Sequence, residues 1–396
     1  MPSLPANDLT VPPGLRPAPM PGVAFGKYRL LRELALGGMA RIYLATSDGP
    51  GGFLKPCVIK KILPEFAKRA DFSEMFINEA RIAALLSHPN IVQAFDFGEV
   101  EGDFFLALEW VDGASLASVI SACKRRGAMP DLNITTHVGM SLCEALSYAH
   151  AARDPSGEPL NIVHRDVTPG NVLISTSGAV KLTDFGIVKS SINATHSRPN
   201  VLKGKLAYMA PEQIQSGQFD ARTDLYSLAL VLYELATGRR PFERATLAQS
   251  LAAASQGSLP RPSEFMPFPS HLERILCRAL AVDPKERYPT AHSLLAALDA
   301  FRAEQPWMSP THELAQLLRE LYPKGCPAGA RALNPPRSVT ALARPPKEGS
   351  IAFAEADDVI EVMPAAEGFV PHSWRDPLWA VAAGLIASAS FWLFLT

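Results

Sequence analysis

Three short polar motifs, far apart but in a fixed order, constrain this chain more than any other feature. The first is His164-Arg165-Asp166-Val167-Thr168-Pro169-Gly170-Asn171, which sets an aspartate and an asparagine five positions apart. The second is Lys181-Leu182-Thr183-Asp184-Phe185-Gly186, and the third is Ala210-Pro211-Glu212. Any one of these words arises by chance; the ordered set, at workable separations, does not. Upstream, an apolar run through Cys57, Val58 and Ile59 ends in Lys60, and a helix expected over about 71–87 carries Glu79. Lys60 and Glu79 can pair, although either alone reads equally well as a solvated surface charge. Residues 28–46 alternate on both sides of Gly37-Gly38, the pattern of two strands joined by a tight turn.

Over residues 26 to about 303 these words resemble the eukaryotic-like serine/threonine protein kinases found in bacteria, and Tyr208-Met209 ahead of Ala210 matches the wording of that group. The resemblance implies an α+β, two-lobed kinase fold. A small antiparallel-sheet lobe with one helix would cover about 26–110, and a larger, mainly helical lobe about 111–303. It also implies ATP as phosphoryl donor, magnesium or manganese as the metal, and protein substrates. Asp166 would be the catalytic base, Asn171 and Asp184 would hold the metal, and Lys60, braced by Glu79, would orient the phosphates. The nucleotide would further touch Leu36, Gly37, Gly38 and Ile42 of the glycine turn, and Glu109 and Val111 where the hinge meets adenine. Phe185 would pack beneath the helix bearing Glu79. Asp224 would brace the catalytic loop, and Arg287 would pair with Glu212.

The chain departs from the family in two places. The three glycine positions of the phosphate loop fall on Ala35, Gly37 and Ala40, which restricts positive φ and close approach to phosphate. The lysine usual two residues after the catalytic aspartate is Thr168, and the threonine usual before the Tyr208-Met209 run is Lys205. A reciprocal swap accounts for both: Lys205 supplies the cation needed near the transferring phosphate, and Thr168 the hydroxyl. A nucleotide-binding scaffold without transfer is the alternative from another class. Arg165 beside the base implies a phosphate partner on the activation segment, where Ser190, Ser191, Thr195 and Ser197 are the candidates. Full activity with all four unmodified, read by mass spectrometry, would exclude that.

Outside this body the composition changes. Residues 1–25 are rich in proline and read as disordered. A short amphipathic stretch within 304–322 places Leu314, Leu317, Leu318 and Leu321 at helical spacing. Residues 323–376 read as a Pro/Ala/Gly linker. Residues 378–396 hold no charge, and nineteen residues at about 1.5 Å each nearly match a hydrocarbon core of about 30 Å. With Pro377 at its start and Trp379 and Trp392 towards its ends, the stretch 377–396 reads as a single membrane span holding the catalytic body on the cytoplasmic side. A buried soluble helix or a docking helix are the alternatives. Ala380, Gly384 and Ser388 form a small-residue face, the basis for a homodimer expectation. The formal net charge of −1 gives no bulk attraction to nucleic acid, and five scattered cysteines without a CxxC pair support neither a zinc site nor a disulfide framework.

Overall fold

A computed structural model describes residues 22–185 and 206–326, apart from 38, 50–51, 68, 155, 216–218, 245, 258 and 308. Gly38, Ser190, Ser191, Thr195, Ser197, Lys205, the proline-rich start, the linker and 377–396 therefore lie outside the described residues. No helix among the described residues is long and apolar enough to cross a membrane.

The small lobe is one antiparallel sheet of β1 (Val23–Phe25), β2 (Tyr28–Leu36), β3 (Ala40–Asp48), β4 (Leu54–Ile62), β5 (Ala94–Val100) and β6 (Asp103–Glu109), in the order β1-β2-β3-β4-β6-β5. Two-residue periodicity divides its faces. Cys57 and Ile59 of β4 join Tyr43 and Phe105 in one apolar layer. Val58 and Ile62 join Phe76, Ala80 and Leu106 in the other. Lys60 falls on that second face, opposite Ile42 of β3 and Leu106 of β6. After a short α1 (Pro64–Ala67), helix α2 (Ala70–Leu85) packs there and carries Glu79. It ends two residues before the expected stop, where Leu86 already turns to extended backbone at φ −93° and ψ 118°.

The large lobe is mainly helical. It contains α3 (Leu116–Arg126), α4 (Leu132–His150), α5 (Pro211–Gln215), α6 (Ala221–Thr237), α7 (Leu247–Gln256), α8 (Ser270–Ala279), α9 (Ala291–Ala303) and α10 (Pro310–Leu321). Helix α6 is apolar nearly all round and buried from Thr223 to Ala236, so it is the lobe's central element. Asp220 caps its first turn, and Gly238, at φ 69°, closes its last. A three-stranded sheet of β7 (Gly113–Ser115), β8 (Val172–Ser175) and β9 (Val180–Leu182) lies between the lobes and frames the motif residues. The architecture is the two-lobed one expected from the motifs.

Candidate active site

Asn171 immediately precedes β8, and Asp184 follows β9 by two residues, so the β8–β9 hairpin brings the first two motifs together. A bond from Thr183 N to Asn171 O, 2.9 Å, closes the hairpin's open end. Asn171 Nδ2 donates to Asp166 Oδ2 at 2.9 Å and to the Asp166 carbonyl at 2.8 Å. Across the cleft, Lys60 Nζ pairs with Asp184 Oδ1 at 3.0 Å and with Glu79. Burial disfavours the charged form of Lys60, but Asp184 and Glu79 outweigh it and hold the pKa above the ordinary lysine value. The ammonium is therefore a permanent cation joining the two lobes.

The loop carrying Asp166 is held from beneath. Asp224, fully buried on α6, accepts from His164 N and Arg165 N, each at 2.7 Å, and meets His150 Nε2 at 2.8 Å. Those bonds hold Arg165 at φ 65°, a conformation that costs a non-glycine residue on the order of 1–3 kcal/mol. Asp184 is likewise at φ 60°. The Phe185 ring sits 4.6 Å from the His164 ring and shares a small cavity with Glu79 of α2. Farther down, Arg287 and Glu212 form a two-pronged pair at 2.7 and 2.8 Å.

Between the lobes lies a cleft of roughly 590 Å³ of atom-free space. Ile42, Lys60, Glu109, Val111 and Asp184 line it, as do Leu34, Ala35, Val58 and Leu173. Leu36 is not among the residues that line it. A bulge between Glu33 and Ala35 re-aims the chain so that Leu34 and Ala35 line the cleft, and Leu36 is left 50% exposed at the strand tip. Gly37 donates to Ala40 O at 2.8 Å and makes the turn. Leu34 and the floor residue Leu173 escaped the sequence reading; the signals were the leucine three residues before Gly37 and the second residue after Asn171.

Two further pairings lie outside the roles expected from the motifs. Glu109 is tied to Lys181 of β9 at 2.9 Å, which links the hinge to the hairpin. Tyr208 donates to the buried Glu234 of α6, which also accepts from Lys124 of α3 at 2.7 Å. Burial and Glu234 together push the Tyr208 phenol well above its ordinary pKa, so it stays a donor and anchors the end of the activation segment.

The oxygen-rich corner of Asp166, Asn171 and Asp184 suits a hard divalent cation. No group of three His, Cys, Asp or Glu side chains among the described residues could hold a metal by itself. An ion here would rest on Asp184 and the Asn171 amide, leaving its other positions to phosphate and water, which is how magnesium binds beside nucleotides.

Residues 28–298 match the family described as protein kinase domain. The chain is 40% identical over 303 residues to tyrosine-protein kinase MasK of Myxococcus xanthus, covering 76% of this chain and 46% of that protein. It is 34% identical over 283 residues to serine/threonine-protein kinase PrkC of Bacillus subtilis, covering 71% and 41%. It thus spans less than half the length of either relative. Its structure matches the kinase domain of Mycobacterium tuberculosis PknI with a TM-score of 0.52 at 28% identity, over 70% of this chain and 97% of that one.

Proposed function

The chain belongs to the protein kinase family, and on that footing we propose that it transfers the γ-phosphoryl group of ATP to serine and threonine hydroxyls of proteins. One observation carries the proposal: Lys60, clamped between Glu79 and Asp184, faces the loop that presents Asp166 and Asn171 across a cleft lined by apolar side chains.

Adenine enters against Leu34, Val58 and Leu173, with the hinge backbone at Glu109 and Val111 beside it. Lys60 orients the phosphates, and its bond to Glu79 keeps α2 close. Asn171 and Asp184 would hold magnesium, or manganese in its place, which would supply charge neutralisation at the phosphates. Asp166 accepts the proton of the substrate hydroxyl as the new O–P bond forms and the bond to ADP breaks; it then returns that proton to solvent. The convergence of these groups disfavours the scaffold alternative.

Tyrosine as acceptor is a second reading. Thr168 removes the lysine that marks serine/threonine kinases, and the 40% identical relative carries a tyrosine-kinase name. Incubation with magnesium, ATP and protein acceptors, then acid hydrolysis, should yield phosphoserine and phosphothreonine. Phosphotyrosine as the main product would reverse the specificity, and no transfer at all would sink the kinase reading.

The Lys205–Thr168 swap belongs to the same proposal. Lys205→Ala should lower kcat by about 10²-fold, the scale of one lost transition-state contact, and leave the KM for ATP little changed; an unaltered kcat rejects the swap. We also assign residues 378–396 to a membrane anchor. Their deletion should move the protein from the membrane to the soluble fraction, and continued pelleting would refute the anchor.

A further inference from the structure

The family match stops at 298, yet the described chain continues through an ordered helix. In α10, Leu314, Ala315 and Leu318 are buried, with the two leucines one turn apart on the face that meets α3 and α4. Trp307, ahead of the helix, packs edge-on against Phe301 of α9 at 5.4 Å. Polar contacts fix the helix along its length. Glu313 accepts from the buried Asn133 of α4 at 2.5 Å, and Arg126 at the end of α3 donates to the Glu320 carbonyl.

The start of this helix meets the turn of the β8–β9 hairpin. Gly178 of that turn lies at φ 87°, and a Cβ built there would fall 2.0 Å from the Thr311 carbonyl oxygen. The two backbones therefore touch where no side chain fits. His137 of α4 joins the corner: its Nε2 lies 3.4 Å from Thr311 Oγ1, with the Gly178 backbone beside the ring. The hairpin is short, with three residue pairs in register from Val172↔Leu182 to Ile174↔Val180. Its closed end touches α10, and Asn171 and Asp184 flank its open end.

We propose that α10 is a strap that positions the β8–β9 hairpin, and through it Asn171 and Asp184. A two-stranded hairpin has little stability of its own. Here one side is paired to β7 and the turn is pinned by Thr311 and His137. Releasing the strap frees the turn, and the displacement reaches both flanking residues through a lever of only three pairs. The effect on turnover rests on the kinase reading above; the effect on the hairpin does not.

Hydrogen exchange on the full-length chain tests this. Leu318→Asp puts a charge on the buried face and should release α10. Amides of 172–183 should then exchange about tenfold faster or more, the scale set by losing one buried leucine, while α6 stays protected. The magnesium concentration giving half-maximal turnover should rise in step. Glu313→Ala removes one bond to Asn133 and should give the same pattern at about two- to tenfold. It decides the question if Leu318→Asp does not fold. Unchanged exchange in the hairpin with α10 released overturns the proposal. So does an equal rise in α6, which would make the strap a general stabiliser. If the hairpin loosens but even the unaltered protein transfers no phosphate, the kinase reading fails and the strap stands.

Discussion

Asp166→Asn should lower kcat by about 10²–10⁴-fold, the contribution of one positioned general base, with the melting temperature and the KM for ATP nearly unchanged. The substitution keeps the size of the side chain and one acceptor oxygen, so the bond from Asn171 Nδ2, 2.9 Å in the native protein, can persist. What it removes is the ability to take a proton. The loop itself is shaped from below by Asp224, which the change does not touch. The residues lining the nucleotide cleft are also untouched. Steady-state kinetics with calorimetry checks the outcome, and a kcat within threefold of the unaltered protein would remove Asp166 from the chemistry.

A loss of stability on the order of 10 °C in Tm is the expected result of Arg287→Met. The Arg287 side chain is completely buried. It makes two bonds to Glu212, and three more to the carbonyls of Ala281, Val282 and Arg222 at 2.8, 3.1 and 3.2 Å. The guanidinium also lies 4.5 Å from the Tyr226 ring. Removing one partner of a buried pair costs about 3–5 kcal/mol, because the other charge loses its two-pronged partner. For a domain of this size each kcal/mol lowers Tm by about 2–4 °C. Glu212 also accepts from the Thr223 hydroxyl at 2.8 Å. Adding Glu212→Gln should recover part of the loss, since the carboxylate charge is then gone. Differential scanning calorimetry of both variants decides: a fall below about 2 °C for Arg287→Met alone would mean the pair is peripheral.

The site was legible where chemistry demands a particular side chain at a particular spacing. Asp166 and Asn171, Asp184 and Phe185, and Glu212 with its distant partner Arg287 all stand in short words of polar residues inside apolar surroundings. The helix at 310–321 was legible for a different reason, the helical spacing of Leu314 and Leu318. What could not be read were contacts set by backbone path. The bulge that brings Leu34 to the cleft and leaves Leu36 outside changes no residue type, and alternation alone does not locate it. The approach of Thr311 to Gly178 joins positions 133 apart, and a glycine in a turn has many ordinary explanations. Lys181 and Glu109 stand 72 positions apart, and only the fold shows that they pair.

The strict alternation of β4 makes that strand intolerant of changes in length. Because Lys60 and Ile59 face opposite sides of the sheet, one residue inserted within 57–60 would send the ammonium into the layer of Tyr43 and Phe105 and swing an isoleucine towards Glu79. The same insertion in the connection just before the strand shifts no side chain to the wrong face, and a longer loop there adds only a small closure cost. Changes of length in this lobe are thus borne by its turns at far lower cost than by β4.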